Sequence, residues 1–228
     1  MKNNFYISGY PKSSTSYLTR LIASTLNASI GGSCPEQDAI EPIAIKRDSD
    51  WIVRKGHYRL MVSDNKPLLP EPHVLNISKL QGEPVFFIIR DPRDIIVSAA
   101  HYHNKTIEET LHNMFYGNAY GLGRWDTYVS QWYELMANKA QFIRYEDLLN
   151  DPVTILKWCL TIDYDEQQLG AAVKEQSFEK QKPLDKHNLL RKGIAGDYKN
   201  YLDQNQIKEI ELALGDTMKE FGYEISHN

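Results

Sequence analysis

The sequence predicts an α/β fold, a central and mostly parallel sheet flanked by helices, on three observations. Short apolar runs alternate with longer segments of helical period. The most apolar run, Val85–Ile89, is uninterrupted, as in a strand covered on both faces. Two strand ends lead directly into helix-opening signals, one of them through a polar loop suited to an anion.

Taken in order, Phe5, Tyr6 and Ile7 form a strand that ends at Ser8 and Gly9. A hydroxyl-rich loop follows, then Leu18, Leu21, Ile22 and Leu26 at helical spacing. After Val85–Ile89, Asp91 reads as a helix cap and Pro92 as the first helical residue, with Ile95, Ile96, Ala99 and Ala100 on one side. Thr106 and Glu109 have capping-box spacing, and Trp125–Met136 is amphipathic. Residues 140 to 145 read as a short strand, and Asp151 with Pro152 repeats the cap-then-proline opening. The last helix carries Ile207, Ile210, Leu214, Met218 and Phe221 on one stripe. Residues 31 to 50 and 179 to 197 read as long loops, which inside a domain are more often functional than decorative.

The 228 residues fit one domain spanning 1–228, and no composition shift marks a linker. With 42% hydrophobic and 25% charged residues, the composition is that of a globular protein. No apolar run approaches the ~18 residues of a membrane helix, and residues 1 to 12 lack a signal-peptide core, so a cytoplasmic protein with no membrane partner is expected. Cys34 and Cys159 have neither metal nor redox spacing, and no metal is expected. A net charge of -4 argues against a nucleic-acid partner and requires any phosphate site to be a local cluster.

The first such cluster is Gly9-Tyr10-Pro11-Lys12-Ser13-Ser14-Thr15-Ser16, set between strand and helix, where free N–H groups and the helix dipole favour an anion. On the residues alone, a hydroxyl-rich cap with a solvated lysine explains it equally well. Pro11 stands where a nucleotide-triphosphatase loop has its second glycine. Arg90, ending the apolar strand, offers a planar fork to a phosphate, and Ser98 adds a hydroxyl about two turns into the next helix. The bland alternative is a surface ion pair between Arg90 and Asp94.

Tyr10-Pro11-Lys12-Ser13, with Ser14, Thr15, Ser16 and Tyr17 after it, resembles the 5'-phosphosulfate loop of the cytosolic sulfotransferases, usually Tyr-Pro-Lys-Ser-Gly-Thr-Thr-Trp. The segment from Phe87 to Ser98 through Arg90 is similar to that family's 3'-phosphate segment. Three more blocks follow in the family's order: Gly123-Arg124-Trp125 on to Trp132, Ile143-Arg144-Tyr145-Glu146-Asp147-Leu148, and the stretch from Leu190 to Asn200. The resemblance implies 3'-phosphoadenosine 5'-phosphosulfate (PAPS) as donor and 3'-phosphoadenosine 5'-phosphate (PAP) as product. It assigns Pro11, Lys12, Ser13, Ser14, Thr15, Ser16, Tyr17, Arg90, Ser98, Tyr145, Phe178, Arg191, Lys192 and Gly193 to the nucleotide.

Trp51-Ile52-Val53-Arg54-Lys55-Gly56-His57 resembles the family strand that delivers Lys-Thr-His, with Gly56 in place of threonine. By that resemblance His57 is the base, Lys12 stabilises the leaving oxygen, Lys55 steadies the sulfuryl group, and Ser98 holds the 3'-phosphate and restrains Lys12. A histidine has a suitable pKa for the task, and His101 and His103 are rivals for it. The implied acceptor is a hydroxyl on a small molecule or glycan, with Tyr58, Tyr102, Phe115 and Tyr116 as candidate cleft aromatics. A kinase-like enzyme using ATP, or a non-catalytic PAP-binding module, are the alternatives. Residues 199 to 208 lack the family's short dimer motif, which leaves the oligomeric state unknown.

Overall fold

A computed structural model describes residues 3–32, 45, 47–61, 74–80, 82–117, 119–185 and 190–226. Five strands make one parallel sheet in the order β2 (Ser29–Gly31), β3 (Trp51–Lys55), β1 (Asn3–Gly9), β6 (Val85–Ile89) and β7 (Ala140–Arg144). The expected α/β architecture is therefore present, and β6 is buried along its whole length as an uninterrupted apolar strand requires. A separate parallel pair joins β4 (Arg59–Met61) to β5 (Val74–Asn76).

The chain runs outward from β1 on one side of the sheet and then crosses to β6 on the other. In an open parallel sheet such a switch point leaves a crevice at the carboxyl ends of the strands. Here that crevice lies beyond Gly9, Lys55 and Ile89.

Helices cover both faces. One core packs α1 (Thr15–Thr25), through Leu18, Leu21 and Ile22, with α6 (Pro152–Cys159) and α7 (Glu166–Glu175) against Phe5, Ile7, Phe86 and Ile88. The other packs α2 (Pro92–His103), α3 (Ile107–Phe115), α4 (Trp125–Met136) and α9 (Gln204–Glu220) against Val85, Phe87 and Ile89. The strands thus divide their side chains between two apolar layers by simple alternation.

The local capping signals act as written. Asp91 accepts from the Arg93 amide, Thr106 and Glu109 form a reciprocal capping box, and Asp151 accepts from the Thr154 amide. Two expectations need correction. Tyr145 does not end a strand but opens α5 (Tyr145–Asn150). The stretch read as a loop from 179 begins as α8 (Phe178–Gln181) and a single 3-10 turn at Lys182–Leu184, too short and too exposed to carry an apolar period. Most of the loop read over 31 to 50, and Cys34 with it, lies outside the described residues; Ile45 bridges Ile30. Cys159 is free and buried.

A buried ionic network ties the sheet's helical cover together. Arg93 pairs with Asp91 at 2.6 Å and with Glu211 of α9 at 2.7 Å. Asp94, fully buried, accepts from the amides of Gly196 (2.7 Å) and Tyr198 (2.8 Å), so α2 docks the segment that follows residue 190.

Candidate active site

The loop between β1 and α1 turns tightly, with Lys12 at φ 69° and Ser14 at φ 70°. Side chains with a Cβ adopt this left-handed conformation at a cost of about 1 kcal/mol, which is why a glycine would be easier at Ser14. Ser14 makes no side-chain cap at α1; its hydroxyl instead interacts with Tyr145. The loop amides are not claimed by a capping side chain, and a helix start in that condition favours an anion.

Parallel pairing places the rest of the site. Ile7 of β1 lies beside Lys55 of β3, and the Gly56 amide donates to the Ile7 carbonyl at 3.0 Å. His57 then reaches across to the end of β1, its Nδ1 2.7 Å from the Gly9 carbonyl oxygen. A carbonyl only accepts, so Nδ1 carries the hydrogen and Nε2 of the neutral ring keeps the lone pair. From the other side, Arg90 at the end of β6 donates from Nη1 to the Lys12 carbonyl at 3.0 Å and lies over the Tyr145 ring at 4.5 Å. Its guanidinium is 4.0 Å from Asp94. That pair is buried, not on the surface, and the Asp94 oxygens are held by backbone amides.

These elements enclose a cleft of about 600 Å³. Pro11, Lys12, Ser14, Thr15, Ser16, Tyr17, Lys55, His57, Arg90 and Ser98 all line it. So does Arg59, which strand alternation puts on the side of His57. Lys12, Lys55, Arg59 and Arg90 give the wall four cations and, among the described lining residues, no carboxylate, in a chain whose net charge is -4. Among the described residues Ser13 Oγ and Arg90 Nε are buried with no hydrogen-bond partner. Buried donors of that kind, beside clustered cations, fit a polyanionic ligand.

Burial holds the Lys12 ammonium down to about 8, with Arg90 and Lys55 pushing the same way and Asp185 opposing. Its Nζ lies 3.7 Å from the centroid of the Tyr102 ring. Because the fold lowers this pKa below its unfolded value, the charged form destabilises the protein at neutral pH, and that penalty is relieved as pH rises above about 8.

Gly56, the departure from the resembling motif, has a local cause. A Cβ there would lie 2.4 to 2.8 Å from atoms of the Tyr58 ring. Tyr58 is buried, and its carbonyl accepts from Tyr128 (2.8 Å) and Trp132 (2.9 Å), so its backbone cannot retreat. Gly56→Ala is expected to cost about 2 kcal/mol of stability, within the usual range for overpacking. Adding Tyr58→Leu should return most of that loss in a double-mutant cycle of denaturant midpoints.

A smaller cavity, about 70 Å³, opens beside the cleft and shares Ser14, Tyr17 and Leu190 with it. Tyr145, Phe178, Gly193, Arg20 and Gln176 are among its other lining residues. Gly193, at φ +66°, lies against the Phe178 ring, where a Cβ would come within 2.6 Å. Arg191 and Lys192 are not among the lining residues of either space; both pair with the buried Asp197 carboxylate, Lys192 at 3.3 Å.

Of the candidate cleft aromatics, Tyr102 lines the cleft. Tyr58 and Phe115 are core residues and Tyr116 is exposed, which corrects their expected placement. His103 lines the cleft and His101 does not. Sequence reading missed Tyr120, Gly121 and Leu122, which also line the cleft. Their one signal was an aromatic among closely spaced glycines.

The sulfotransferase domain family matches residues 2–222. This chain belongs to the sulfotransferase family. It is 25% identical over 238 residues to mouse sulfotransferase 1B1, a match covering 90% of this chain and 79% of that protein. Against sulfotransferase 2A1 of Macaca fascicularis the identity is 26% over 252 residues, covering 95% and 84%. Among solved structures, a mouse sulfotransferase complexed with PAP superposes with a TM-score of 0.68 at 21% identity, over 96% of this chain and 85% of that one. Retinol dehydratase in complex with androsterone and PAP gives 0.68 at 18%, over 98% and 82%. The sulfotransferase is thus an enzyme with the fold of its family. Among its described residues no helix is long and apolar enough to cross a membrane, and no three His, Cys, Asp or Glu side chains are grouped as a metal site.

Proposed function

We propose that this sulfotransferase, one domain over residues 1–228, moves a sulfuryl group from PAPS to a hydroxyl of a small molecule or glycan. The observation that carries the reading is the convergence of Lys12, of Lys55 with His57, and of Ser98, from three separate segments, on one cationic cleft. The solved relatives named above were each crystallised with PAP.

In this reading, the amides and hydroxyls of the loop from Pro11 to Ser16 hold the 5' end of the nucleotide. Arg90 and Ser98 hold its 3'-phosphate, with Arg191, Lys192 and Gly193 closing over it once Asp197 releases the two cations. Tyr17, Tyr145 and Phe178 sandwich the base. When bound, PAPS supplies the sulfuryl group and a phosphate oxygen as leaving group. Lys12 holds a positive charge where negative charge develops, as in the related case of phosphoryl transfer. His57 takes the acceptor proton at Nε2, while the Gly9 carbonyl keeps the ring oriented. Lys55 steadies the group in transit, and Ser98 restrains Lys12 before an acceptor arrives.

The test is a screen of hydroxyl acceptors with PAPS labelled in the sulfuryl group. Labelled product accumulating with PAP supports the reading, and consumption of ATP with no use of PAPS would return it to a kinase. Arg90→Ala is expected to weaken PAP binding by about ten- to a hundred-fold, since a charge-assisted phosphate contact is worth about 1.5–3 kcal/mol. An unchanged dissociation constant in calorimetry contradicts that placement. PAP affinity should also fall as pH rises through about 8, where free Lys12 loses its charge. Binding near that pH should take up a proton, detected as a dependence of the heat on the buffer's ionisation enthalpy.

A further inference from the structure

Behind the cleft lies a second cavity of about 300 Å³, lined by Ala99, His103, Lys105, Thr110, Asn113, Met114 and Tyr120. His103 and Tyr120 line both spaces, and a 3.0 Å hydrogen bond between His103 Nε2 and the Tyr120 hydroxyl forms part of the wall between them. Tyr120 is held there at φ 59°, a left-handed conformation that costs a tyrosine free energy and is met most often at functional positions.

Three donors meet at this boundary. The Tyr120 hydroxyl and the His103 ring face each other, and Lys105 brings the one formal charge among the described residues lining the second cavity. Burial, and then Lys12 and Lys105, lower the His103 pKa. Glu109, on which Lys105 acts, has its carboxylate engaged by the Thr106 amide and is not among the residues lining the cavity. The cleft on the near side is walled by Tyr102, Tyr120, Leu122 and Val74. An apolar body therefore fits in the cleft, and an anion fits where His103 and Tyr120 join it to the second cavity.

We infer that His103, Tyr120 and Lys105 form a subsite for a distal anionic group of the acceptor, which makes the preferred acceptors amphipathic hydroxy acids. The reacting hydroxyl sits at His57, the apolar part spans the cleft, and the anion replaces each partner of the His103–Tyr120 bond while drawing on Lys105. This rests on the sulfuryl-transfer reading for the position of the hydroxyl, and its test is a binding measurement that does not require turnover.

Calorimetry on the PAP-loaded protein would compare 4-hydroxyphenylalkanoates of increasing chain length with the corresponding neutral primary amides. The acid is expected to bind about ten-fold tighter than its amide at the best chain length, the scale of one charge-assisted hydrogen bond. In Lys105→Met, which keeps the apolar stem of an exposed side chain, that ratio should fall to near one, and in Tyr120→Phe it should fall part of the way. Using the ratio within each variant removes any effect of the fraction folded. Equal binding of acid and amide at every length, absence of binding by both, or a ratio that survives Lys105→Met overturns the inference. Failure of PAP itself to bind would instead overturn the donor reading.

Discussion

Replacing Lys12 by alanine is expected to slow sulfuryl transfer about a hundred- to a thousand-fold, measured as single-turnover release of PAP. That is the scale of losing one preorganised charge at a developing anion. The position explains why the loss would be so large. The Lys12 ammonium is partly buried, is repelled by Arg90 and Lys55 more than Asp185 offsets, and leans on the Tyr102 ring, so it is destabilised without an anion and is relieved when one arrives. For the same reason the variant should keep its thermal midpoint or exceed it. Lys12→Met, which retains the stem beneath the charge, should lose as much rate as Lys12→Ala. A slow alanine variant beside an active methionine variant would show that packing, not charge, is what Lys12 contributes.

His57→Ala is expected to reduce the same rate by about a hundred- to ten-thousand-fold, the usual span for a general base, while PAP affinity stays within about two-fold. His57→Gln separates the two functions of the ring. Its amide can still donate to the Gly9 carbonyl, but it has no basic nitrogen, so it should restore the local structure and leave the rate low. Full turnover in His57→Ala would pass the role of base to His103, the other histidine among the described residues lining the cleft.

Much of this architecture was legible where a signal is local. The unbroken apolar run of β6, the Asp91–Pro92 opening of α2 and the Thr106–Glu109 box each report on neighbours a few residues apart, and each acts in the fold as its chemistry suggests. The polar loop between β1 and α1 was legible for the same reason. Strand order was not, because pairing of β1 with both β3 and β6 depends on residues more than forty positions apart. The meaning of Gly56 was equally hidden: only the buried Tyr58 ring shows why no side chain can stand there. Arg191 and Lys192 read as phosphate ligands, and sequence gave no hint that Asp197 engages both. Tyr120 escaped notice because a lone aromatic in a glycine-flanked loop has no period, and its partner His103 lies on a different element.

The end of β6 and the start of α2 are expected to recognise a 3'-phosphate that ordinary adenine nucleotides lack. Titrating the protein with PAP and with 5'-AMP under identical salt and pH tests it without knowledge of the acceptor. PAP should bind about ten- to a hundred-fold more tightly, with the difference largely lost in Arg90→Ala. Equal affinity of the two nucleotides for the unaltered protein would contradict the account.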